Sequence, residues 1–363
     1  MKLNLVTVLN SSGYGMCGLN LLRALNAADC EVALFVLPAP GFELMLEVDD
    51  LALVRRALKR AALYDMRAPC LRLASEGQMT LFAGRGPRLG LTFYETDELT
   101  PRERHHLATL DVLFVSSNWA RLIALEQKVA AGRIVTLPMA VDTQYYYPGE
   151  RAPGPDTIFL HVGKWEHRKG QDILLEAFEQ AFEPDEAVRL QFMSDNPFLG
   201  ERNAEWQALC RASRMSDRID ILPRVLYTRQ VADIMRAADC GVFTPRSEGW
   251  NLELLEMMAC GKAVIACNFA GHTEFATHDN CRLIELPARE RVSDDRWMKF
   301  YSTEKVGQWG SWDETARATL VEHMRKVHHE RLAGTLQPNL AGLETARYFS
   351  WERAARIVME NCS

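Results

Sequence analysis

The chain has 363 residues, 48 % of them hydrophobic and 25 % charged, with a formal net charge of -6. That length suits two domains of ordinary size, and that composition suits a globular protein rather than a disordered or fibrous one. The acidic balance argues against a general nucleic-acid binder, and no apolar run approaches the roughly 18 residues of a membrane span.

Leu3 to Leu9 is an apolar run suited to a buried parallel strand. Asn10-Ser11-Ser12-Gly13-Tyr14-Gly15-Met16-Cys17-Gly18 follows, and Leu21, Leu22 and Leu25 then fall at helical spacing. The turn contains a formal G-x-G-x-x-G, whose glycines let backbone approach a phosphate; a plain tight turn is the alternative. A nicotinamide dinucleotide fold would want an acid at the end of the second strand. Here that strand, Glu31 to Leu37, runs into Pro38-Ala39-Pro40 without one, which weakens a dehydrogenase reading.

Asp49 to Arg67 reads as a helix in which Arg55, Arg56, Lys59 and Arg60 interleave with Leu51, Leu53, Leu58 and Leu63. Such a helix suits an anionic membrane surface or an anionic acceptor, and a solvated helix face is the commoner explanation. Leu89 to Tyr94 is another buried strand, ending in Glu95-Thr96-Asp97-Glu98-Leu99-Thr100-Pro101. Polar residues just past a parallel strand are placed to line a cleft, so Glu95 and Asp97 are weak site candidates, whereas Thr100 is expected to cap the helix opening at Pro101. His105-His106 on that helix is expected at the surface. Asp111 to Ser116 is a strand, and Ser117-Asn118-Trp119 opens a helix to about Val129, with Asn118 a further weak candidate. Ile134 to Leu137 follows, and the glycine- and proline-rich stretch Gly149 to Asp156 is the expected linker.

The second half repeats the alternation. Strand Thr157 to Val162 leads into Gly163-Lys164-Trp165-Glu166-His167-Arg168-Lys169-Gly170, and a helix is marked by Ile173, Leu174, Ala177 and Phe178. Lysines at a strand-to-helix turn are well placed to neutralise a diphosphate leaving group, although exposed lysines are common. Val188 to Met193 and Ile219 to Leu222 are further strands. Cys240-Gly241-Val242-Phe243-Thr244-Pro245 reads as a short buried strand ended by proline. After Ser247-Glu248-Gly249-Trp250-Asn251, Leu252, Leu255 and Ala259 take helical spacing up to Gly261. The backbone N–H groups at that helix start, near Asn251 to Glu253, form a seat for phosphate. Glu248 in the loop and Glu256 at the border of the apolar stripe bracket it. Such a pair can bind a nucleotide diphosphate sugar, and it is also what a surface loop and a helix each carrying one acid would give. A carboxylate at the position of Glu256 needs a hydrogen-bond donor.

Glu248-Gly249-Trp250-Asn251-Leu252 through Glu256, then Met258-Ala259-Cys260-Gly261-Lys262 and the apolar run Ala263 to Ala266, resembles the signature of the retaining family-4 glycosyltransferases of GT-B fold. The resemblance implies an α/β protein of two doubly wound Rossmann-like domains facing a central cleft. The acceptor-side domain would be residues 1–148 completed by a C-terminal helix at about 346–363, and the donor-side domain residues 149–345. It also implies residue roles. Gly13 best matches the glycine-bearing loop facing the donor phosphate, with Gly15 beside it. Lys164 and Lys169, after Gly163, match two basic residues on the diphosphate; arginine is usual where Lys164 stands, so bidentate geometry is given up. Glu248 would contact the transferred sugar and Glu256 the ribose, with Trp250, Asn251 and Leu252 at the diphosphate and Arg224 and Val225 at the base. Pro138 to Pro148 looks like the crossing between domains, Gly271-His272-Thr273-Glu274-Phe275 like a glycine-and-acid loop with Glu274 structural, and Phe349-Ser350-Trp351-Glu352 like the start of a helix that braces the first domain. No residue matches the histidine that the first domain often presents to the sugar.

The expected reaction is transfer of a sugar from a nucleotide diphosphate sugar to an acceptor hydroxyl with retention, needing no metal or other cofactor, since D-x-D occurs nowhere. Expected partners are the nucleotide-sugar donor and a glycan, lipid-linked or small-molecule acceptor, a nucleic acid being disfavoured and contact with a membrane surface open. A GT-B phosphorylase or epimerase, or a non-catalytic nucleotide-sugar-binding protein, are the alternatives. Nine cysteines without a C-x-x-C pair fit reduced thiols, and with no signal-peptide pattern after Met1 a cytoplasmic location is expected.

Overall fold

The computed structural model describes residues 1–38, 45–149, 151, 154–198, 200–292 and 307–362. Ala39, Pro40 and, within the expected linker, residues 150, 152 and 153 lie outside the described residues. The chain forms two compact units, one built on Met1–Asp142 and Phe349–Ser363, the other on Thr143–Asp294 and Gln308–Tyr348.

In the first unit β1 (Lys2–Thr7), α1 (Gly13–Ala27), β2 (Glu31–Val36), α2 (Val48–Ala61), β3 (Cys70–Leu73), β4 (Arg88–Thr92), α3 (Pro101–Leu107), β5 (Val112–Val115), α4 (Asn118–Glu126) and β6 (Arg133–Thr136) follow in order. The six strands make one parallel sheet in the order β2-β1-β3-β4-β5-β6. The apolar runs end one or two residues earlier as strands than their hydrophobicity suggests. Helix α2 stops at Ala61 rather than Arg67, and Asp65 Oδ1 then turns the chain by accepting from Arg67 N at 2.9 Å. Helix α4 ends at Glu126, and Lys128 adopts φ 53° to leave it. Strand β3 escapes a hydrophobicity reading because Arg72 interrupts it. That arginine is buried by donating to Gln78 O at 2.9 Å and Leu81 O at 2.8 Å, so the sheet centre holds a satisfied cation. Thr100 caps α3 as expected, in a reciprocal capping box with Glu103.

The second unit repeats the plan with β7 (Thr157–Val162), α5 (Gln171–Ala181), β8 (Val188–Met193), α6 (Gly200–Ala212), β9 (Ile219–Ile221), α7 (Thr228–Ala237), β10 (Cys240–Phe243), α8 (Leu252–Ala259), β11 (Ala263–Cys267) and β12 (Arg282–Ile284). Its parallel sheet runs β12-β11-β10-β7-β8-β9. A two-stranded antiparallel ribbon, β13 (Arg289–Arg291) with β14 (Gln308–Gly310), and helices α9 (Glu314–Leu332) and α10 (Leu340–Tyr348) complete it. The last helix, α11 (Trp351–Glu360), is capped by Ser350 and packs on α1 of the first unit. Two doubly wound parallel sheets are the GT-B architecture that the sequence implies.

Strand order fixes where each unit can hold a ligand. In the second unit the chain winds outward from β7 through β8 and β9, then returns to the far side of β7 with β10. The reversal leaves a crevice past the carboxyl ends of β7 and β10, the topological switch point at which open α/β sheets bind ligands. The loops opening there are Gly163–Gly170 and Thr244–Asn251. In the first unit the reversal lies between β1 and β3, past which come Asn10–Gly13 and Glu76.

Candidate functional site

The two loops at the second switch point are tied together by charge. After β7 the chain makes one tight turn, His167–Lys169, ending at Gly170 with φ 71°. A Cβ at Gly170 would lie 1.8 Å from Thr244 O, so only glycine lets the loop pass this close to its partner. The turn drives Arg168 and Lys169 inward. Arg168, 2 % exposed, donates to Ser247 O at 2.7 Å and pairs with Glu166 at 2.9 Å and Glu248 at 3.0 Å. Lys169 Nζ stands 2.7 Å from the other Glu248 oxygen and 3.6 Å from Glu253, and Lys164 Nζ stands 2.7 Å from Glu166. The result is one alternating row: Lys164, Glu166, Arg168, Glu248, Lys169, Glu253. From behind, Arg246 joins the same loops, donating to His167 O at 2.6 Å and to both Asp172 oxygens at 2.9 and 2.7 Å.

The row sets the protonation of its members. Burial by itself would raise Glu248, yet Lys169 and Arg168 together outweigh it and hold that carboxyl at about 2. Glu166 is likewise lowered, its burial outweighed by Lys164 and Arg168. Burial pulls Lys169 down, and Glu248 with Glu253 more than restores it, so its ammonium is held above the ordinary range. Beneath the row His161 is pushed down to about 4 by burial. Its Nδ1 lies 2.9 Å from Val242 O and its Nε2 3.2 Å from Gln171 Nε2, and Gln171 also donates to Lys164 O at 2.6 Å. A neutral imidazole with the proton on Nδ1 satisfies both contacts.

At the amino end of α8 the cap is Asn251 in the left-handed region, φ 75°, its Oδ1 accepting from Leu254 N at 3.2 Å. That leaves the Leu252 and Glu253 amides without intrahelical acceptors. Asn251 Nδ2 and Ser247 Oγ are both shut off from solvent with no hydrogen-bond partner. Donors gathered this way at a helix start are of the kind that can hold an anion. One turn further, Glu256 receives the donor that its position demands. The buried Tyr146 hydroxyl hydrogen-bonds to it, and burial and then Glu256 raise that phenol well above its ordinary value.

The structure thus brings Lys164, Lys169, Glu248, Asn251 and Leu252 together around one crevice, with Gly163 at φ 155° opening its first loop. Trp250 is buried against Phe275, ring centroids 4.9 Å apart. Arg224 and Val225 lie half-buried in the β9–α7 loop. Glu274 is half-buried on the short turn Gly271–Glu274, whose Gly271 N donates to Glu248 O at 2.8 Å. Sequence reasoning missed Arg168, Glu166 and Tyr146. For Arg168 the signal was present, three consecutive basic residues before a glycine, but not which of them turns inward.

In the first unit Gly13 starts α1, and a Cβ there would meet nothing within 4 Å, whereas one at Gly15 would lie 2.2 Å from Asn10 O. Gly15 is therefore needed for the turn itself. Tyr14 points to the switch point, its hydroxyl 3.3 Å from Thr92 Oγ1 and accepting from Phe93 N at 3.3 Å. Burial, then the charge of Glu76, raise it well above its ordinary value, with Glu95 adding to the shift. Glu95 and Asp97 are half-buried, and exposed Asn118 accepts from Thr136 Oγ1 at 3.4 Å. His105 is exposed and His106 half-buried. Among the described residues no group of three or more His, Cys, Asp or Glu is arranged to hold a metal ion, no helix is long and apolar enough to cross a membrane, and all nine cysteines are free and buried.

Residues 156–291 match the family "Glycosyl transferases group 1". The chain is 31 % identical over 225 residues to D-inositol 3-phosphate glycosyltransferase 2 of Catenulispora acidiphila, an alignment covering 55 % of this chain and 52 % of that protein. It spans about half the length of the curated relatives it matches. Its fold is similar to that of sucrose-phosphate synthase from Thermosynechococcus elongatus, with TM-score 0.71, 16 % identity and coverage of 99 % and 98 % of the two chains. It is also similar to that of Anabaena Alr3699/HepE in complex with UDP and glucose, with TM-score 0.66, 14 % identity and coverage of 99 % and 98 %.

Proposed function

We propose that this chain, which has the GT-B fold and over residues 156–291 matches the group 1 glycosyl transferases, moves a sugar from a nucleotide diphosphate sugar to an acceptor hydroxyl. The single observation that carries this reading is the pair of buried, unpartnered donors at the amino end of α8, set beside the Lys169–Glu248 ion pair. A pyrophosphate seated on α8 gains the Leu252 and Glu253 amides and Asn251 Nδ2, and draws Lys169 from its carboxylate partners as leaving-group charge develops. Lys164 adds a second cation. With that positive charge supplied by the chain, the reaction needs no obligatory metal in this reading.

Glu248 at about 2 is too weak a base to take a proton from an acceptor hydroxyl near neutral pH. It suits accepting hydrogen bonds from hydroxyls of the transferred sugar. A site whose central carboxylate is neither base nor free nucleophile supports the retaining course that the family resemblance implies. The acceptor is proposed to be a hydroxyl-rich small molecule, glycan or lipid-linked sugar, and the name of the curated relative puts a cyclitol phosphate among the candidates.

The reading is tested at Glu256. A charged hydrogen bond is worth about 1.5–3 kcal/mol, so Glu256→Ala should weaken calorimetric binding of a nucleoside diphosphate by roughly ten- to hundredfold. Tyr146→Phe, which removes only the neighbouring hydroxyl, should stay within about threefold of wild type. Unchanged affinity in a folded Glu256→Ala protein would remove the ribose role.

We further propose that α2 meets an anionic membrane surface. Its outer face carries Arg55, Arg56, Lys59 and Arg60, all exposed, flanked by Leu51, Leu58, Val48 at 82 % exposure and, just past the helix, Leu63 at 94 %. Basic heads beside bare aliphatic side chains fit a headgroup boundary. In vesicle sedimentation the wild type should bind phosphatidylglycerol-rich vesicles and ignore neutral ones, with the double variant Lys59→Glu/Arg60→Glu losing about a thousandfold in affinity, at roughly 1 kcal/mol for each of the four unit charges changed. Equal binding to both vesicle types would dismiss the idea.

A further inference from the structure

At the other end of the second unit's sheet, away from the loops that carry Lys169 and Glu248, two arginines and Lys262 gather round one buried carboxylate, with a third arginine beside the lysine. Asp239 sits just before β10 and is held by backbone. Its Oδ2 accepts from Ile158 N at 2.8 Å, and its own N–H donates to Ile158 O at 3.0 Å. Arg151 Nε reaches it at 3.5 Å from the segment before β7, and Arg331 Nε at 3.2 Å from the last turn of α9. Arg236, near the end of α7, lies alongside, because a Cβ added at Gly149 would meet its Cδ at 2.7 Å. Its guanidinium donates to Tyr145 O at 2.6 Å, lies 4.3 Å over the Tyr147 ring and pairs with exposed Asp233. Lys262 follows Gly261, where a Cβ would come 3.8 Å from Pro148.

Charge does not balance here. Arg151, Arg236, Arg331 and Lys262 make four positive groups against Asp239 and Asp233, an excess of two (4 − 2). Neighbouring Arg282 and Glu330 pair with each other and cancel. Among the described residues no acid lies within ion-pair distance of Lys262. Burial lowers its ammonium below the ordinary range; Asp239 opposes that, and Arg151 and Arg236 push it further down. Arg151 Nε and Nη1 are shut off from solvent and make no hydrogen bond, an arrangement that a folded protein tolerates only at a cost.

We infer that Arg151, Arg236 and Lys262 bind a phosphate-sized dianion, either free inorganic phosphate or the terminal group of a phosphomonoester. Its two charges match the excess, and its oxygens are the acceptors that the buried Arg151 N–H groups lack. This site is separate from the seat at α8. Six residues of β7, at about 3.3 Å each, place roughly 20 Å between them. Helix α8 nonetheless joins the two, with Asn251 at its amino end and Gly261-Lys262 just past its carboxyl end. An anion bound here would clamp the segment at Arg151 to the turn at which α8 stops.

The test is calorimetric titration of the full chain with inorganic phosphate and, separately, glycerol phosphate, against chloride at matched ionic strength. Lys262→Gln, which breaks no ion pair, should raise the dissociation constant about tenfold, as loss of one charged hydrogen bond does. Arg151→Gln should do the same, and Lys169→Gln should leave this site intact. Tighter binding of one titrant names the free or esterified form. A phosphate response no greater than that of chloride overturns the inference, as does one that survives Lys262→Gln in a chain that also carries Lys169→Gln. A response lost in Lys169→Gln and kept in Lys262→Gln would place the anion on α8 and overturn it equally.

Discussion

Lys169→Ala is expected to cut sugar transfer by roughly a hundred- to a thousandfold, the usual cost of removing one preorganised group aimed at developing negative charge. The size follows from what Lys169 does in the resting site. Its ammonium is shared by Glu248 at 2.7 Å and Glu253 at 3.6 Å. In the ground state a diphosphate must therefore compete with two carboxylates for it. As the anomeric bond breaks, charge on the leaving group grows while theirs does not, so the advantage of the diphosphate is largest in the transition state. The loss should accordingly fall on kcat more than on KM. Steady-state kinetics with a nucleotide sugar and acceptor check this, with circular dichroism to confirm folding. A loss confined to KM would mean that Lys169 only binds.

Arg168→Met is expected to destabilise the second unit by about 3–5 kcal/mol, the range for removing one partner from a buried ionic network. For a unit of this size that lowers the melting temperature by roughly 6–20 °C. Arg168 is buried and answers Glu166, Glu248 and Ser247 O together, so its loss leaves Glu166 to Lys164 alone, Glu248 to Lys169 alone and the Ser247 carbonyl without this donor. The sign of the pH dependence follows. Glu248 is held at about 2 when folded against an ordinary 4.5, and Glu166 is lowered too. Groups depressed on folding contribute stability that is complete above the unfolded value and is lost as pH falls through the folded one. The gap between wild type and Arg168→Met should thus be full above about pH 4.5 and narrow toward pH 2. Urea unfolding across that span measures it, and a constant gap would assign Arg168 a packing role.

How legible all this was in the chain depends on distance along it. Strands β7 and β8 stand at the bounds predicted for them, because the continuous or alternating burial of their apolar residues marks both ends. Thr100 caps as expected, and Ser350 caps the helix whose start the sequence places there, since capping is settled within one turn. Lys164, Lys169, Glu248 and Glu256 are given their roles by a resemblance, which carries positions but not contacts. Tyr146 was hidden among Tyr145, Tyr146 and Tyr147, three equal residues of which one meets a carboxylate more than a hundred positions away. Arg168 was hidden by a turn whose inward side is set by Gly170 and Thr244, a close approach that no local pattern records. Strand β3 was passed over because its arginine is satisfied by carbonyls six and nine residues on.

The packing of α11 on α1 has a consequence for biosynthesis. Everything the second unit needs lies between Thr143 and Tyr348, so it can close on itself while the first still lacks a wall. At about 5–20 residues per second, the roughly 200 residues separating the two parts of the first unit delay its completion by about 10–40 s. Through that interval the side of α1 that α11 will cover stays open to water and to any chaperone nearby, so the half made first is the half finished last.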